Sequence, residues 1–265
     1  MTVGLKYLIC GMLIAGACGA RAQDAQKFVQ KAVRTELRDD AADHSHWLYY
    51  EVDRKPNDSV EQWVAETGKG DVTRVLQKNG QAIPLDEQRK TMQDFVGSAD
   101  AQAKQRQDGQ HDDKQATELL KLLPNAFIWS DVSVHGHDRT LHFKPDPNFD
   151  PPSHEARVFA AMEGDMVVNT SQMRIASLKG RLIHDVKFGF GILGDLKAGG
   201  TFDVERREIG HHEWQISESH VHVNGHELLF KSISEQEDDV KSRFKRLPAD
   251  ISLRAAEKRL LKAGQ

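Results

Sequence analysis

The sequence predicts an α+β fold in which amphipathic helices cover an antiparallel sheet. Three observations carry this: apolar residues near the helical period at both ends of the chain, apolar–polar alternation through its second half, and glycine-containing turn signals between the alternating runs. Alternation with one charged face describes a half-solvated sheet, whose apolar face needs a cover.

The chain opens on the parts of an export signal. Lys6 supplies the positive n-region, Tyr7 to Ala17 is almost wholly apolar, and Ala20-Arg21-Ala22 places small residues before a cut at Gln23. The apolar run is shorter than the roughly 20 residues a bilayer-spanning helix needs. Removal of residues 1–22 is therefore expected, with no transmembrane span left. The rival fate is a lipid anchor at Cys18, but Ala15 stands three positions before it, where a larger aliphatic residue is expected. Both cysteines, Cys10 and Cys18, lie in the leader, so the mature domain, 23–265, is expected to be thiol-free, periplasmic or secreted, and stable by its core. The formal net charge of −4 becomes more negative once Lys6 and Arg21 are lost, which argues against a nucleic-acid partner or adhesion to anionic lipid.

Asp24 to Asp40 reads as a helix on Phe28, Val29, Ala32, Val33 and Leu37. His46 to Arg54, Ser59 to Glu66 and Asp71 to Lys78 read as strands, punctuated by Lys55-Pro56-Asn57-Asp58, Gly68-Lys69-Gly70 and Asn79-Gly80. A helix opens after Pro84 and runs to Val96. The stretch 98–114 has almost no large apolar residue and reads as a solvated helix extension or a mobile insertion, followed by a leucine cluster ending at Leu123. From Ala126 onward strands follow one another, with hairpin candidates at His135-Gly136-His137-Asp138, Glu163-Gly164-Asp165, Lys179-Gly180 and Asn224-Gly225. Leu182, His184, Val186 and Phe188 alternate with Ile183, Asp185 and Lys187, and Phe202 and Val204 with Asp203, Glu205 and Arg207. Ile251 to Lys262 closes the chain as a helix. No repeat or second domain boundary is visible.

Catalytic and cofactor motifs fail individually. His154-Glu155, His212-Glu213 and His226-Glu227 lack the second histidine of a zinc-protease helix. Gly189 to Gly194 satisfies G-x-G-x-x-G, but no long helix follows to meet a pyrophosphate, so the glycines are read as a tight loop. No nucleophile elbow or phosphate loop is present. Paired carboxylates such as Asp238-Asp239 read as a solvated face. Among the 13 histidines, His220 and His222 share a strand face and are the metal candidates, and His211-His212, His135-x-His137 and His44-x-His46 could each contribute a ligand, yet a zinc site needs three or four convergent ligands and no pattern demands that these converge.

The succession Met162-Glu163-Gly164-Asp165, Met173-Arg174-Ile175, Leu178-Lys179-Gly180, Val186-Lys187-Phe188, Gly199-Gly200-Thr201-Phe202 and Trp214 resembles exported bacterial proteins of the lipoprotein-carrier (LolA/LolB-like) superfamily. The resemblance implies a strongly curved antiparallel sheet, an incomplete β-barrel, whose apolar concave face is covered by helices and receives an acyl chain or another hydrophobic ligand without catalysis. Leu182, His184, Val186, Phe188, Phe202 and Val204 are then expected to face that cavity. The chain departs from the carriers in its length and in the insertion at 98–114. The leading expectation is a non-catalytic, cofactor-free binding or carrier protein for a lipid or acyl group. The alternatives are an envelope protein-interaction module with a filled core and a histidine-based metal-binding protein.

Overall fold

The computed structural model describes residues 12–188, 194–226 and 236–264. A long helix, α1 (Met12–Ala42), precedes strands β1 (His46–Lys55), β2 (Asp58–Ala65), β3 (Val72–Lys78) and β4 (Gln81–Ala82). Helices α2 (Leu85–Gly97) and α3 (Ala99–Ala126) lead to β5 (Phe127–His135) and β6 (Asp138–Pro145). A 3-10 helix (Glu155–Ala161) introduces β7 (Met162–Asn169) and β8 (Arg174–Leu182). There follow β9 (Val186–Phe188), β10 (Gly194–Leu196), β11 (Thr201–Gly210), β12 (Glu213–His222), β13 (Gly225–His226), β14 (Gln236–Leu247) and α4 (Leu253–Leu260). Among the described residues eleven strands form one antiparallel sheet in the order β4-β3-β2-β1-β14-β12-β11-β8-β7-β6-β5, which does not close into a barrel; β13, β10 and β9 form a second, small sheet.

Most turn signals sit where the sequence puts them. Asn79 (φ 53°) and Gly80 (φ 74°) both take positive φ, the requirement of a tight hairpin whose twist matches its strands. Three glycine signals are not turns. Gly164 and Gly180 lie mid-strand and directly opposite each other, and Gly225 is in β13. A Cβ at Gly164 would meet the Lys179 carbonyl at 2.0 Å, and one at Gly180 would meet the Phe202 ring at 2.6 Å, so these glycines let strands and an aromatic ring approach closely.

Two in-register rows show how the alternation is used. On the first face run Leu141, Met166, Leu178, Val204, Ser219, Asp239, Asp53 and Val60, from β6 across to β2. On the second run His142, Asp165, Lys179, Asp203, His220, Asp238 and Arg54, polar throughout. Helix α1 covers the apolar end of the first face, where Ala25, Val29, Ala32 and Val33 pack on Trp129, Phe143, Leu141 and Met166. Small residues on the helix accept the large ones of the sheet, as dense packing requires. The helix is also pinned by charge. Glu36, 3% exposed, accepts from Arg174 (2.9 Å) and from the backbone N–H of Ile175 (2.5 Å), and pairs with Arg206 (2.5 Å).

The other helices correct the expectation of a single covered face. Helices α2 and α4 pack through Met92, Leu253, Ala256 and Leu260 on Leu48, Trp63, Ala65 and Val72, which lie on the second face at the β1–β3 end. The reason is that β1 and β2 are apolar on both faces: Trp47, Tyr49 and Val64 form a separate cluster on the first, with Ile209 and Phe244. The polar insertion at 98–114 is helical. Ser98 Oγ caps it on Ala101 N–H, and it is fastened to the β2–β3 turn by Gln105, which accepts from Asp71 N–H (2.7 Å), and by Arg106, which donates to the Lys69 carbonyl (2.7 Å).

Candidate functional site

Beyond α1 the first face turns acidic, and its local geometry follows from strand pairing. In β1 the odd positions Trp47, Tyr49, Glu51 and Asp53 share this face, and β14 sets Asp239 opposite Asp53 and Lys241 opposite Glu51. Two carboxylates facing each other across a ladder repel. Lys241 Nζ lies 3.3 Å from Asp239 and 3.5 Å from Glu51, while Lys55 Nζ bridges Asp53 (3.0 Å) and Glu237 (2.9 Å). Gln62 donates to Glu51 at 2.5 Å. These partners leave one oxygen each of Asp53 and Asp239 buried with no hydrogen-bond partner among the described residues.

Burial sets the protonation of the group. It pushes the Asp239 carboxyl up to about 6, with Glu51 and Asp53 adding to the rise against Lys241. Asp53 is raised for the same leading reason. Burial would lower Lys241, but Asp239 and Glu51 outweigh it and its ammonium is held above the usual range. Further along the face Glu66 is pushed up to about 7 by burial, although it accepts the Trp47 backbone N–H at 2.8 Å. Asp71 is raised by burial, and the Tyr49 hydroxyl, buried and near these acids, is raised strongly. A desolvated carboxylate with an unpaired oxygen favours a cation or a donor beside it.

The residues expected to line a cavity divide. Leu182 and Val186 belong to the filled core at 3% and 6% exposure, and Phe202 is half-buried against it. Val204 is half-buried on the first face between Leu178 and Ser219. His184 corrects the alternation: β8 ends at Leu182, the chain bends, and the imidazole is exposed. Asp185 makes the bend, accepting from Ala198 N–H (2.9 Å) and Lys197 Nζ (3.2 Å). The Phe188 side chain and the glycine loop at 189–193 lie outside the described residues. His220 and His222 are on the polar second face, where both rings meet Asp238, at 2.6 and 2.9 Å. The bond to Asp238 raises the His220 imidazole. Among the described residues no three metal-ligating side chains converge. Two open hollows, of about 600 and about 380 Å³, lie elsewhere, one at the start of α4 beside Lys69 and one between α3 and the 3-10 helix.

The acids of the first face escape the sequence reading, which takes Asp238-Asp239 as one solvated run. The available signal is parity: Asp53 and Glu51 share their strand face with Trp47 and Tyr49, whereas Asp238 and Asp239 point to opposite faces. No family model, curated protein or solved structure matches the chain.

Proposed function

We propose that the protein is an exported, non-catalytic binding protein for an amphiphile, whose apolar part lies on Phe202, Val204 and Leu178 and whose head group meets Asp53 and Asp239. One observation carries the reading. Along a single row the first face passes from Leu178 and Val204 through Ser219 to the two carboxylates. A small-molecule site joins an apolar lining to a few convergent polar groups. The charge there favours a cationic or strongly donating head. The helices that pack on β1–β3 do so from the second face, and Leu178, Phe202 and Val204 are each only half-buried. The reading keeps the lipid-class ligand implied by the resemblance and the curved sheet that goes with it, and moves the ligand away from the core beneath α1. That core favours a second reading, an envelope interaction module, because Trp129, Phe143, Leu141, Met166 and Val168 already fill it.

Calorimetric titration tests the choice. Dodecyltrimethylammonium, laurate and an uncharged glucoside with the same chain are compared at pH 8 and pH 5. The cationic amphiphile is expected to bind saturably at pH 8, about tenfold tighter than laurate, which is about 1.4 kcal/mol. Affinity is expected to fall at pH 5, where the raised carboxyl of Asp239 takes a proton. Equal binding of laurate, or no saturable binding of any of the three, refutes the proposal.

A further inference from the structure

Charge is unevenly spread along the chain. Its formal net charge is −4, yet from Arg243 to Lys262 it carries seven basic residues against two acidic ones, Asp250 and Glu257. Arg246 has a partner in Glu213. Arg243, Lys245, Arg254, Lys258, Arg259 and Lys262 are exposed, and none has a carboxylate partner among the described residues. Folding gathers them. Helix α4 buries Leu253, Ala256 and Leu260 on the second face, which turns Arg254, Lys258 and Arg259 to solvent. Just beyond the helix, a Cβ at Gly264 would meet Trp63 Nε1 at 3.2 Å; Tyr50 lies 5.4 Å from the Trp63 ring, and the Arg243 guanidinium sits 5.1 Å over Tyr50. Arg74 donates to the Leu260 and Ala263 carbonyls, and burial, then the charge of exposed Arg89, hold it below its usual range. Attraction to the C-terminal end of the helix dipole accounts for Lys258 and Arg259. It opposes Arg254, in the first turn, and leaves Arg243 and Lys245 unexplained. At the start of α4 the hollow of about 600 Å³ sets Lys69 beside Arg254, with Val96, Ile251 and Leu253 in its lining.

We propose that this end of the second face is a docking surface for a bilayer that carries anionic phospholipid. Charge complementarity and the hollow select that occupant. Six exposed cations without carboxylate partners, spread over a helix and a strand, suit a field of anionic head groups, where each lysine or arginine near the surface strengthens partition about fivefold. The hollow joins cations to an apolar lining, which a phospholipid matches with its phosphate and the first carbons of its chains. A uniformly polar polyanion has no part for that lining. The negative net charge does not oppose docking, because charges are screened beyond about 8 Å at physiological ionic strength. The acids Asp53 and Asp239 lie on the first face, so docking through the second turns them away from a like-charged membrane. This inference goes beyond the amphiphile reading and uses none of its residues.

Co-sedimentation of the mature chain with vesicles tests this, using phosphatidylcholine alone and an equal mixture with phosphatidylglycerol. Binding is expected to the anionic vesicles only, and to be lost as salt is raised, a readout that needs no variant. The variant with Arg254→Gln, Lys258→Gln and Lys262→Gln loses three exposed cations and is expected to partition roughly a hundredfold more weakly, at an unchanged melting temperature. The variant with Lys27→Gln, Lys31→Gln and Arg34→Gln makes the same change of net charge on the exposed side of α1 and is expected to bind as the wild type does. No binding to anionic vesicles, equal binding to neutral ones, wild-type binding by the α4 variant, or equal loss in the two variants overturns the proposal. So does retention on heparin without vesicle binding, which marks a general polyanion surface.

Discussion

Glycines 164 and 180 show at the residue scale what one residue type conceals. Glycine serves both turns and close approach, and sequence pattern reads the first more readily. The contacts a Cβ would make are with backbone at Gly164 and with both the Glu163 carbonyl and the Phe202 ring at Gly180. Gly164→Ala is therefore expected to lose about 1–3 kcal/mol of stability, the range for overpacking, measured by urea denaturation. Wild-type stability in that variant would show that the strands spread without strain. Protonation supplies a second prediction at this scale. Asp239 and Glu66 have folded pKa values above their unfolded ones, so the stability they contribute is fully present below about pH 4 and is lost as pH rises through about 6 and 7. Asp239→Asn is expected to flatten the decline in melting temperature between those limits. An unchanged slope would mean that the carboxyl is not desolvated. These acids were illegible because a sequence assigns parity only once strand limits are known. The same uncertainty misplaced His184, two residues beyond the end of the ladder that holds Leu182.

Among the elements, the periodic segments were legible nearly to their ends: β1, β2, β3, α2 and α4 start or stop within one or two residues of the sequence reading. Apolar periodicity is a local property, and it survives folding. The insertion at 98–114 was less legible because its order comes from polar bonds. Gln105 exchanges hydrogen bonds with the backbone of Asp71, and Gln102 donates to the carbonyls of Phe95 and Val96. Gln105→Ala is expected to speed amide exchange in the first half of α3 while the rest of the sheet stays protected; uniform protection would show that the helix holds without this anchor. Helix α1 depends on a buried ion group. Removing the Glu36 carboxylate leaves Arg174, 5% exposed, with only the part-exposed Asp39 at 3.3 Å, and loss of one partner from a buried pair costs about 3–5 kcal/mol. Glu36→Ala is expected to lower the unfolding midpoint accordingly, and a loss under about 1 kcal/mol would show that α1 is held by its apolar contacts.

For the whole molecule, the half-solvated sheet with helical cover followed from pattern, whereas the order of its strands did not. β14 enters between β1 and β12, so residues 46–54 pair with 238–247. Such pairing joins distant parts of the chain and leaves no local mark in composition or period. It is also what assembles the proposed site, since Asp53 and Asp239 come from opposite ends of the sequence while Phe202 and Val204 come from between them. Placing the helices on opposite faces at the two ends of the sheet had the same cause, because both faces of β1 and β2 carry large apolar residues. Photo-crosslinking tests the central claim most directly, with a cationic amphiphile that carries a diazirine in its alkyl chain. The account predicts that the label falls on peptides of β8 and β11 containing Leu178, Phe202 and Val204, and that unlabelled amphiphile displaces it. Label confined to β5 or to the hollow beside α4, or label that no competitor displaces, would contradict it.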